Sequence, residues 1–279
     1  MSMNPLSNYL RKPEIYIKLP SGGKWWPEGS IDIPPNNELP ILAMNGHDDI
    51  TMRNADGLMN GASSVEVIQS CVPSVKNAWL GPNIDIEYLF IAIRIASYGN
   101  EMDMEKKCSK CGETTKFGIN LQGILESIQI PDFEIPVQVG ELYVMLKPAS
   151  YQLTNLTAQQ IFEQQRAILA TRSNDLTMEQ KEKILKDTIK KLSDITVSKL
   201  IEYIDYIMMP DGTRVTEREF LQEFIDQVNR RDFDTLKNGI DEKNRQYGVP
   251  DLPFKCSECG HEESFKFEFN PSNFFAADS

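Results

Sequence analysis

The sequence has little of what enzymes use for catalysis. Among its 279 residues are two histidines, His47 and His261, and neither lies in a recognisable catalytic motif. No nucleophile elbow is present. The glycines of "SGGK" at 21–24 lack the spacing of a phosphate-binding loop and precede Trp-Trp-Pro instead of a helix start. Because general base catalysis depends most often on histidine, we expect that the protein is not an enzyme.

The chain also lacks a long hydrophobic run and an excess of basic residues. Its longest apolar stretch, "YLFIAIRIASY" at 88–98, is interrupted by Arg94 and is too short to span a bilayer. The first twenty residues contain no apolar core of a signal peptide. The formal net charge of −12 produces a field that repels nucleic acid. We therefore expect a soluble protein made in a cytoplasm, with neither a membrane span nor a nucleic-acid partner.

Cysteine is scarce, but four of the five cysteines form two similar motifs. "KKCSKCGETTKFGINL" and "FKCSECGHEESFKFEF" both read Lys-Cys-Ser-x-Cys-Gly, followed by a turn and a Phe-containing alternating segment. Each is typical of a knuckle, a tight turn that presents two thiolates to a metal, with a glycine that relieves crowding. Together they supply the four thiolates of a closed structural zinc site, which predicts one Zn²⁺ per chain held by Cys108, Cys111, Cys256 and Cys259.

The distance between the motifs does not exclude a shared site. They are roughly 144 residues apart in the chain, instead of the roughly 15–20 of common zinc sites. Closing a loop of that length costs about 4 kcal/mol, whereas a structural zinc contributes roughly 10–16 kcal/mol. Three alternatives stay open: a thioredoxin-like redox pair, a metal shared with another subunit, and free core thiols. We expect His261 to face solvent in a turn instead of binding the metal, and Cys71 to be a buried thiol.

Strand-like and helical patterns alternate along the chain, so we expect an α+β fold. It would have a β-rich N-terminal part and a discontinuous four-cysteine zinc ribbon into which an all-helical subdomain is inserted. The expected segments are an extended aromatic arm or β segment at 1–46, a helical segment at 47–100, a zinc-ribbon-like β domain formed by 101–148 and 249–279, and the helical insert at 149–248.

Periodicity and capping residues support these assignments. Val65, Ile68 and Val72 have helical spacing, a later helix would end at Gly99, and "VQVGELYVMLKP" predicts a hairpin that turns at Gly140. Within the insert, we expect capping boxes and apolar stripes. These are Thr157 with Gln160, Thr177 with Gln180, Thr216 with Glu219, a stripe of Val197, Leu200, Ile201, Ile204 and Met208, and a stripe of Phe220, Phe224, Ile225 and Val228.

The N-terminal segment carries a dense aromatic load on a Pro/Gly-rich stretch. Tyr9, Tyr16, Trp25 and Trp26 are candidate partner-binding residues, because Trp and Tyr dominate the hot spots of protein interfaces. Two readings stay open for this arm. It folds back over its own domain, or it extends and anchors into a neighbouring subunit.

Several segments resemble the T4-like bacteriophage baseplate protein family. They are "NPLSNYLRKPEIYIKLPSGGKWWPEG", "NELPILAMNGHDDITMRNADGLMNGASSVEVIQSCVPSVKNAW" and "IAIRIASYGNEMDMEKKCSKCG", of which "LPSGGKWW" and "LMNGASSVEVIQSCVP" are the more specific pieces. The helical part of the chain and its C-terminal cysteine motif also resemble the corresponding parts of this family in general character. Members are hub or hub-assembly proteins of contractile-tailed phages. The resemblance implies a non-enzymatic virion component or assembly factor, made in the bacterial cytoplasm and surrounded by other baseplate, hub and tail proteins in a symmetric or hetero-oligomeric assembly.

Two other classes of function stay open beside a baseplate protein. A zinc-ribbon nucleic-acid-binding regulator is the main alternative, although the acidic balance and the acidic residues within "CSECGHEESFKFEF" speak against it. A redox protein with a reversible CxxC disulfide is the weaker one.

Overall fold

The computed structural model describes residues 6, 9–171, 177–267 and 274, and it divides the chain into two compact units. Unit 1 comprises residues 1–130 and 247–279, and unit 2 comprises 131–246. Unit 2 is thus an insertion in the sequence of unit 1. The two segments of unit 1 meet at an antiparallel bridge between Gln129 and Gly248. No helix among the described residues is long and apolar enough to cross a membrane.

Helices and strands occur in both units, which confirms the α+β class. Before the insertion, unit 1 contains β1 (Pro13–Ile17), β2 (Leu39–Leu42), α1 (Gly46–Met52), α2 (Ala55–Met59), α3 (Ala62–Cys71), a 3-10 turn (Ala78–Leu80), α4 (Asn83–Tyr98), β3 (Glu101–Lys107), β4 (Thr114–Asn120) and α5 (Leu121–Ser127). Unit 2 contains β5 (Val137–Val139), β6 (Leu142–Leu146), α6 (Tyr151–Ala170), α7 (Met178–Glu202), β7 (Ile204–Met208), β8 (Arg214–Val215), α8 (Arg218–Gln227) and α9 (Arg230–Gln246). Unit 1 resumes with β9 (Leu252–Lys255) and β10 (Glu262–Phe265).

Helix α4 forms the centre of unit 1 because its sequence is apolar on nearly every side. Leu89, Phe90 and Ile93 are at most 1% exposed, and the β1–β2 hairpin and α3 pack against the helix. A helix that is hydrophobic all round must be buried all round. It ends at Gly99 with φ 89°, as the sequence predicted, since glycine adopts this conformation without strain.

A buried carboxylate holds the Trp-Trp loop on unit 1. Asp85, in the first turn of α4, accepts hydrogen bonds from the Ser21 N–H (2.9 Å), the Ser21 hydroxyl and Trp26 Nε1 (2.7 Å). Burial raises the pKa of Asp85, and these donors partly offset that rise. A Cβ on Gly81 would lie only 2.4 Å from the Trp26 ring, so the indole lies directly against the backbone there.

Arg11 holds the start of the described chain in a comparable way. Its Nη1 donates to Asp48 Oδ2 (3.0 Å), and its Nη2 donates to the carbonyl and hydroxyl oxygens of Ser70. Asp48 is 1% exposed and completes a capping box with Asn45 at the start of α1. Cys71 is fully buried on α3, as predicted, and burial raises the pKa of its thiol to about 12.

Unit 2 contains a four-stranded antiparallel sheet beside its helices. Strands β7 and β8 lie within 149–248, so the prediction that this insert is all-helical is wrong. The strand order is β5-β6-β7-β8, and the β5–β6 hairpin turns at Gly140 as predicted. The predicted stripe over 197–208 divides, because α7 ends at Glu202 and Ile204–Met208 forms β7 beside β6. Spacings of three and four suit a helix, but Ile204, Tyr206 and Ile207 are β-branched or aromatic, and β6 offers them a hydrogen-bonding edge.

The predicted helix caps in unit 2 have mixed outcomes. Thr177 and Gln180 form the expected capping box at the start of α7. The Thr157 prediction is wrong, because α6 already begins at Tyr151, where Ser150 caps the N–H of Leu153. The Thr216 prediction is also wrong, since α8 begins one residue later behind Glu217 without a side-chain cap. Short capping patterns occur by chance inside amphipathic helices. In α6, a residue that lies earlier in the chain, Ser150, caps the helix and so determines where it begins.

Asp85→Ala should destabilise the protein by about 1–3 kcal/mol, because it leaves the Ser21 and Trp26 donors without their buried acceptor. Urea denaturation followed by circular dichroism measures the free energy of unfolding. Asp32→Ala is the control, since its carboxylate pairs with Lys76 at the exposed surface and should change stability by less than about 0.5 kcal/mol. Equal effects of the two substitutions would contradict the anchoring role of Asp85.

Candidate metal centre

Two hairpins of unit 1 present the cysteine motifs in the same way. The β3–β4 ladder ends at the pair Lys107 and Thr114, and the β9–β10 ladder ends at Lys255 and Glu262. The connecting loops, residues 108–113 and 256–261, each begin with Cys-Ser-x-Cys-Gly. The similarity seen in the sequence therefore extends to strand register and loop length.

The backbone hydrogen bonds inside the two loops also correspond. The Cys108 N–H donates to the Glu113 carbonyl (2.8 Å), and the Cys256 N–H donates to that of His261 (2.9 Å). The glycine after each second cysteine donates to the carbonyl of the first, at 3.0 Å in both loops. These glycines, Gly112 and Gly260, have φ 79° and 68°, a conformation that other residues adopt only with strain. The tight turn thus explains why glycine follows each CxxC.

The fold brings all four predicted cysteines together. Their Sγ atoms lie within 4.8 Å of one another, with Cys108–Cys259 at 3.7 Å and Cys111–Cys256 at 3.6 Å, and none is in a disulfide. In a regular tetrahedron around a zinc ion with Zn–S bonds of 2.3 Å, sulfurs are about 3.8 Å apart. These two separations match that value and the remaining ones do not exceed 4.8 Å, so the four residues fit a tetrahedral metal site.

Contacts across the two hairpins follow an approximate twofold relation. The Ser109 hydroxyl of the first loop donates to Glu263 on β10 (2.7 Å). At the corresponding positions, Thr115 on β4 lies 3.4 Å from the Ser257 hydroxyl of the second loop. The Thr115 hydroxyl also donates to Cys256 Sγ (3.6 Å). A strand side chain of each hairpin therefore contacts the cysteine loop of the other hairpin.

An aromatic cluster lies beneath the sulfurs. Phe117 of β4 makes edge-to-face contacts with Phe254 and Phe265 of the second hairpin, at centroid distances of 5.4 and 5.6 Å. The Lys106 ammonium lies over both rings of that hairpin and 3.5 Å from Glu263. These contacts join the hairpins through packing and charge as well as through the sulfurs.

The local electrostatics prevent the four thiols from ionising independently of one another. The backbone N–H of Cys259, together with the Thr115 hydroxyl, lowers the pKa of Cys256 to about 6 against the effect of burial. The backbone N–H of Glu113 lowers the pKa of Cys111, but desolvation and the three neighbouring thiols outweigh it and raise the value to about 12. A divalent cation at the centre would remove this conflict, because it stabilises every sulfur as a thiolate.

The donor set indicates a structural centre. Four cysteines complete a tetrahedral shell and leave no open position for substrate or water, and soft thiolates favour zinc. His261 is not among the clustered donors and contributes only its backbone carbonyl to the loop. The sequence did not single out Thr115, Ser109, Glu263 or Lys106. The shared serine of the two motifs was the available signal for the cross-hairpin contacts.

The aromatic candidates of the N-terminal segment differ in exposure. Tyr9 and Tyr16 are 84% and 61% exposed, whereas Trp25 and Trp26 are half-buried. Trp26 is held by Asp85 as described above. Partner binding by these four residues stays a prediction.

The fold and the site define the class: an α+β protein with an inserted unit and a closed four-cysteine candidate metal centre. The model of the family described as "T4 bacteriophage base plate protein" matches residues 50–276, well over half of the chain. The chain therefore belongs to this T4-like baseplate family, as the sequence resemblance indicated. No curated protein and no solved structure matches it. Family membership indicates a structural component of a phage tail, whose partners are other phage tail proteins.

Cys108→Ser and Cys256→Ser should lower the free energy of unfolding by similar amounts, because both remove a ligand from the same shell. Chemical denaturation of the freshly purified protein provides the measurement. Ser257→Ala, within the second knuckle, removes no sulfur and should have a much smaller effect. If only one of the two cysteine variants is destabilised, the two motifs do not share one centre.

Proposed function

We propose that this chain is a non-enzymatic structural component of the hub region of a contractile-tail baseplate, or the chaperone that assembles that hub. The observation that carries this proposal is the family match over residues 50–276. The closed sulfur shell supports the non-enzymatic part, since it offers no coordination position to a substrate.

We further propose that a single structural Zn²⁺, held by Cys108, Cys111, Cys256 and Cys259, stabilises unit 1. The two knuckles lie on either side of the inserted unit in the sequence, so one ion ties both segments of unit 1 together. A structural zinc contributes roughly 10–16 kcal/mol, well above the loop-closure cost of about 4 kcal/mol. The ion would thus stabilise the fold of unit 1, and other surfaces of the protein would bind its partners.

The α6–α7 helical hairpin supports a role in protein assembly. The described part of this hairpin buries the polar side chains of Thr157, Gln164 and Thr188. Large apolar side chains lie at its surface instead: Leu156, Ile161, Phe162, Ile168, Leu169, Met178, Leu185 and Ile189 are all at least 36% exposed. Exposed apolar surface of this kind is typical of protein–protein interfaces, and the family places the chain among other tail proteins.

The two cysteine hairpins do not support the alternative function, a zinc-ribbon regulator that binds nucleic acid. The exposed side chains of β3 include Glu101, Asp103 and Glu105, an acidic row that would repel phosphates. A salt-dependent gel shift with double-stranded DNA provides the direct comparison. Binding that weakens steeply between low and moderate salt would contradict the baseplate role as a full account.

Elemental analysis of freshly purified protein should find close to one zinc per chain. Four thiolates at tetrahedral spacing bind zinc strongly, so the ion should persist through purification. The Cys111→Ser with Cys259→Ser double variant is the matched control, and its zinc content should fall to near zero. Protein that contains no zinc and takes up none under reducing conditions would refute the zinc proposal.

Phage whose genome carries the Cys256→Ser substitution should produce fewer complete tails than wild-type phage, because the substitution destabilises unit 1. Electron microscopy of lysates and mass spectrometry of purified tails measure tail number and chain content. Lys110→Gln, an exposed substitution within the first knuckle, is the control and should assemble normally. The chain in finished tails would support a hub component, whereas its absence with impaired assembly would support a chaperone. Normal tails without the chain would refute both roles.

A further inference from the structure

We propose that the α6–α7 hairpin of unit 2 packs against the same hairpin of a second copy of this chain, so that the two hairpins form a four-helix arrangement. The contact surface, the hairpin face, comprises Ile161, Ile168, Met178, Leu185, Ile189 and Leu192. The use of such a dimer in a phage tail rests on the proposed function, whereas the association itself does not.

On α6, one row of apolar side chains runs beside the buried positions of the helix. Thr157 and Gln164 are buried, and Ile161 and Ile168 follow them by four residues each. Residues four apart are neighbours on a helix surface, so the two isoleucines lie next to the buried side chains. Both isoleucines are exposed. The hairpin alone therefore leaves this row in contact with water.

The corresponding row of α7 has the same seven-residue spacing. Met178, Leu185 and Leu192 are seven residues apart, and Ile189 lies four residues after the second of them and three before the last. Met178 and Ile189 are 81% and 67% exposed, Leu185 is exposed as well, and Leu192 is half-buried. Apolar residues at alternating spacings of four and three are typical of helices that pack side by side in coiled coils and bundles. The row therefore predicts a helical partner.

The two rows open on the same side of the hairpin. Ile161 of α6 and Leu192 of α7 line one cleft of about 200 Å³, which α9 also lines through Ile240. Ile168 and Leu185 each lie seven residues further from this cleft along their helices. Helix α9 thus packs against the base of the hairpin face. The exposed side chains further along offer another helix the same kind of surface.

Charge favours a second copy as the occupant of the hairpin face. The whole chain has a net charge of −12, whereas residues 151–202 contain eight Lys or Arg and seven Asp or Glu, a net charge of +1. Two copies of an acidic chain repel each other when their acidic surfaces approach. Because the hairpin is nearly neutral, two hairpins can approach each other with little repulsion.

The hairpin also supplies the helices that the face requires. With 20 and 25 residues, α6 and α7 are the longest helices in the described part of the chain, and both carry the seven-residue repeat. Each second copy therefore offers helices that match the face in length and in spacing. A face that meets its own copy is covered in both partners, so the contact closes as a dimer with twofold symmetry.

Sedimentation equilibrium of the full-length protein tests the association. The wild-type protein should be a dimer at micromolar concentrations and should remain one at high salt, because salt screens ion pairs but does not weaken apolar contacts. A protein that stays monomeric at all concentrations would overturn the proposal. A dimer that dissociates as the salt concentration rises would also overturn it, since charge would then hold the copies together.

Variants of the hairpin face locate the contact. Leu185→Glu with Ile189→Glu should weaken the dimer by about a hundredfold or more, because the substitution places charges in an apolar contact of both copies. The matched control, Lys186→Gln with Lys190→Gln, changes the net charge equally at exposed positions of the same helix and should dimerise like the wild type. Ile168→Glu, on α6, should weaken the dimer as well, and circular dichroism checks that each variant stays helical. A dimer that the glutamate variants retain, or that the control loses, would overturn the assignment to this face.

The outcome for the dimer is distinguishable from the outcome for the proposed function. A monomeric chain that is present in finished tails would refute the pairing and leave the structural role intact. If cross-links in such tails join the hairpin face to another tail protein, that protein is the occupant and the pairing is overturned. A dimer that responds to the variants as expected, in a chain without which tails assemble normally, would refute the structural role and leave the pairing intact.

Discussion

The packing of the two cysteine hairpins against each other is the constraint on which the organisation of unit 1 depends. One hairpin precedes the inserted unit in the sequence and the other follows it. Neither two-stranded hairpin has enough apolar surface to be stable alone in water. Together they bury Cys108, Phe254 and Cys256 and place Phe117 and Phe265 around them. A unit made from two segments distant in sequence therefore gains a local core that contains residues of both segments.

Metal binding and packing act on the same small surface. The sulfurs lie at the spacing of a tetrahedral zinc shell, and the aromatic rings and the Ser109–Glu263 hydrogen bond fix the hairpins around them. Metal sites depend on such outer contacts because these orient the ligands before the ion binds. At corresponding positions, each knuckle receives a contact from a strand of the other hairpin, Ser109 from Glu263 and Ser257 from Thr115. A closed, symmetric shell of this kind suits a scaffold and offers nothing to a substrate.

Away from the cysteines, two carboxylates hold further segments of unit 1 in place: Asp85 is buried and Glu87 is half-buried. Asp85 holds the Trp-Trp loop, and Glu87 accepts a hydrogen bond of 2.7 Å from the Tyr247 hydroxyl where the chain returns from the insertion. Burial raises the pKa of both carboxyl groups. Hydrogen-bond donors from another segment satisfy each carboxylate, which offsets the cost of removing it from water. These directional contacts set where each segment lies, whereas the apolar core around α4 supplies the bulk of the driving force.

The local features of this protein were determined by the sequence itself. Paired CxxC-Gly motifs specify knuckles, the apolar run of α4 specifies a buried helix, and Gly99 and Gly140 mark a helix end and a hairpin turn, because each signal acts within a few residues. The prediction of one helical stripe over 197–208 was wrong because that pattern, too, reports only on neighbouring residues. Its spacing suits a helix, and only the edge of β6, remote in sequence, makes Ile204–Met208 a strand. Tertiary structure alone decided the cross-hairpin contacts of Thr115, Glu263 and Lys106. These depend on how two distant hairpins meet, and no local pattern encodes that meeting.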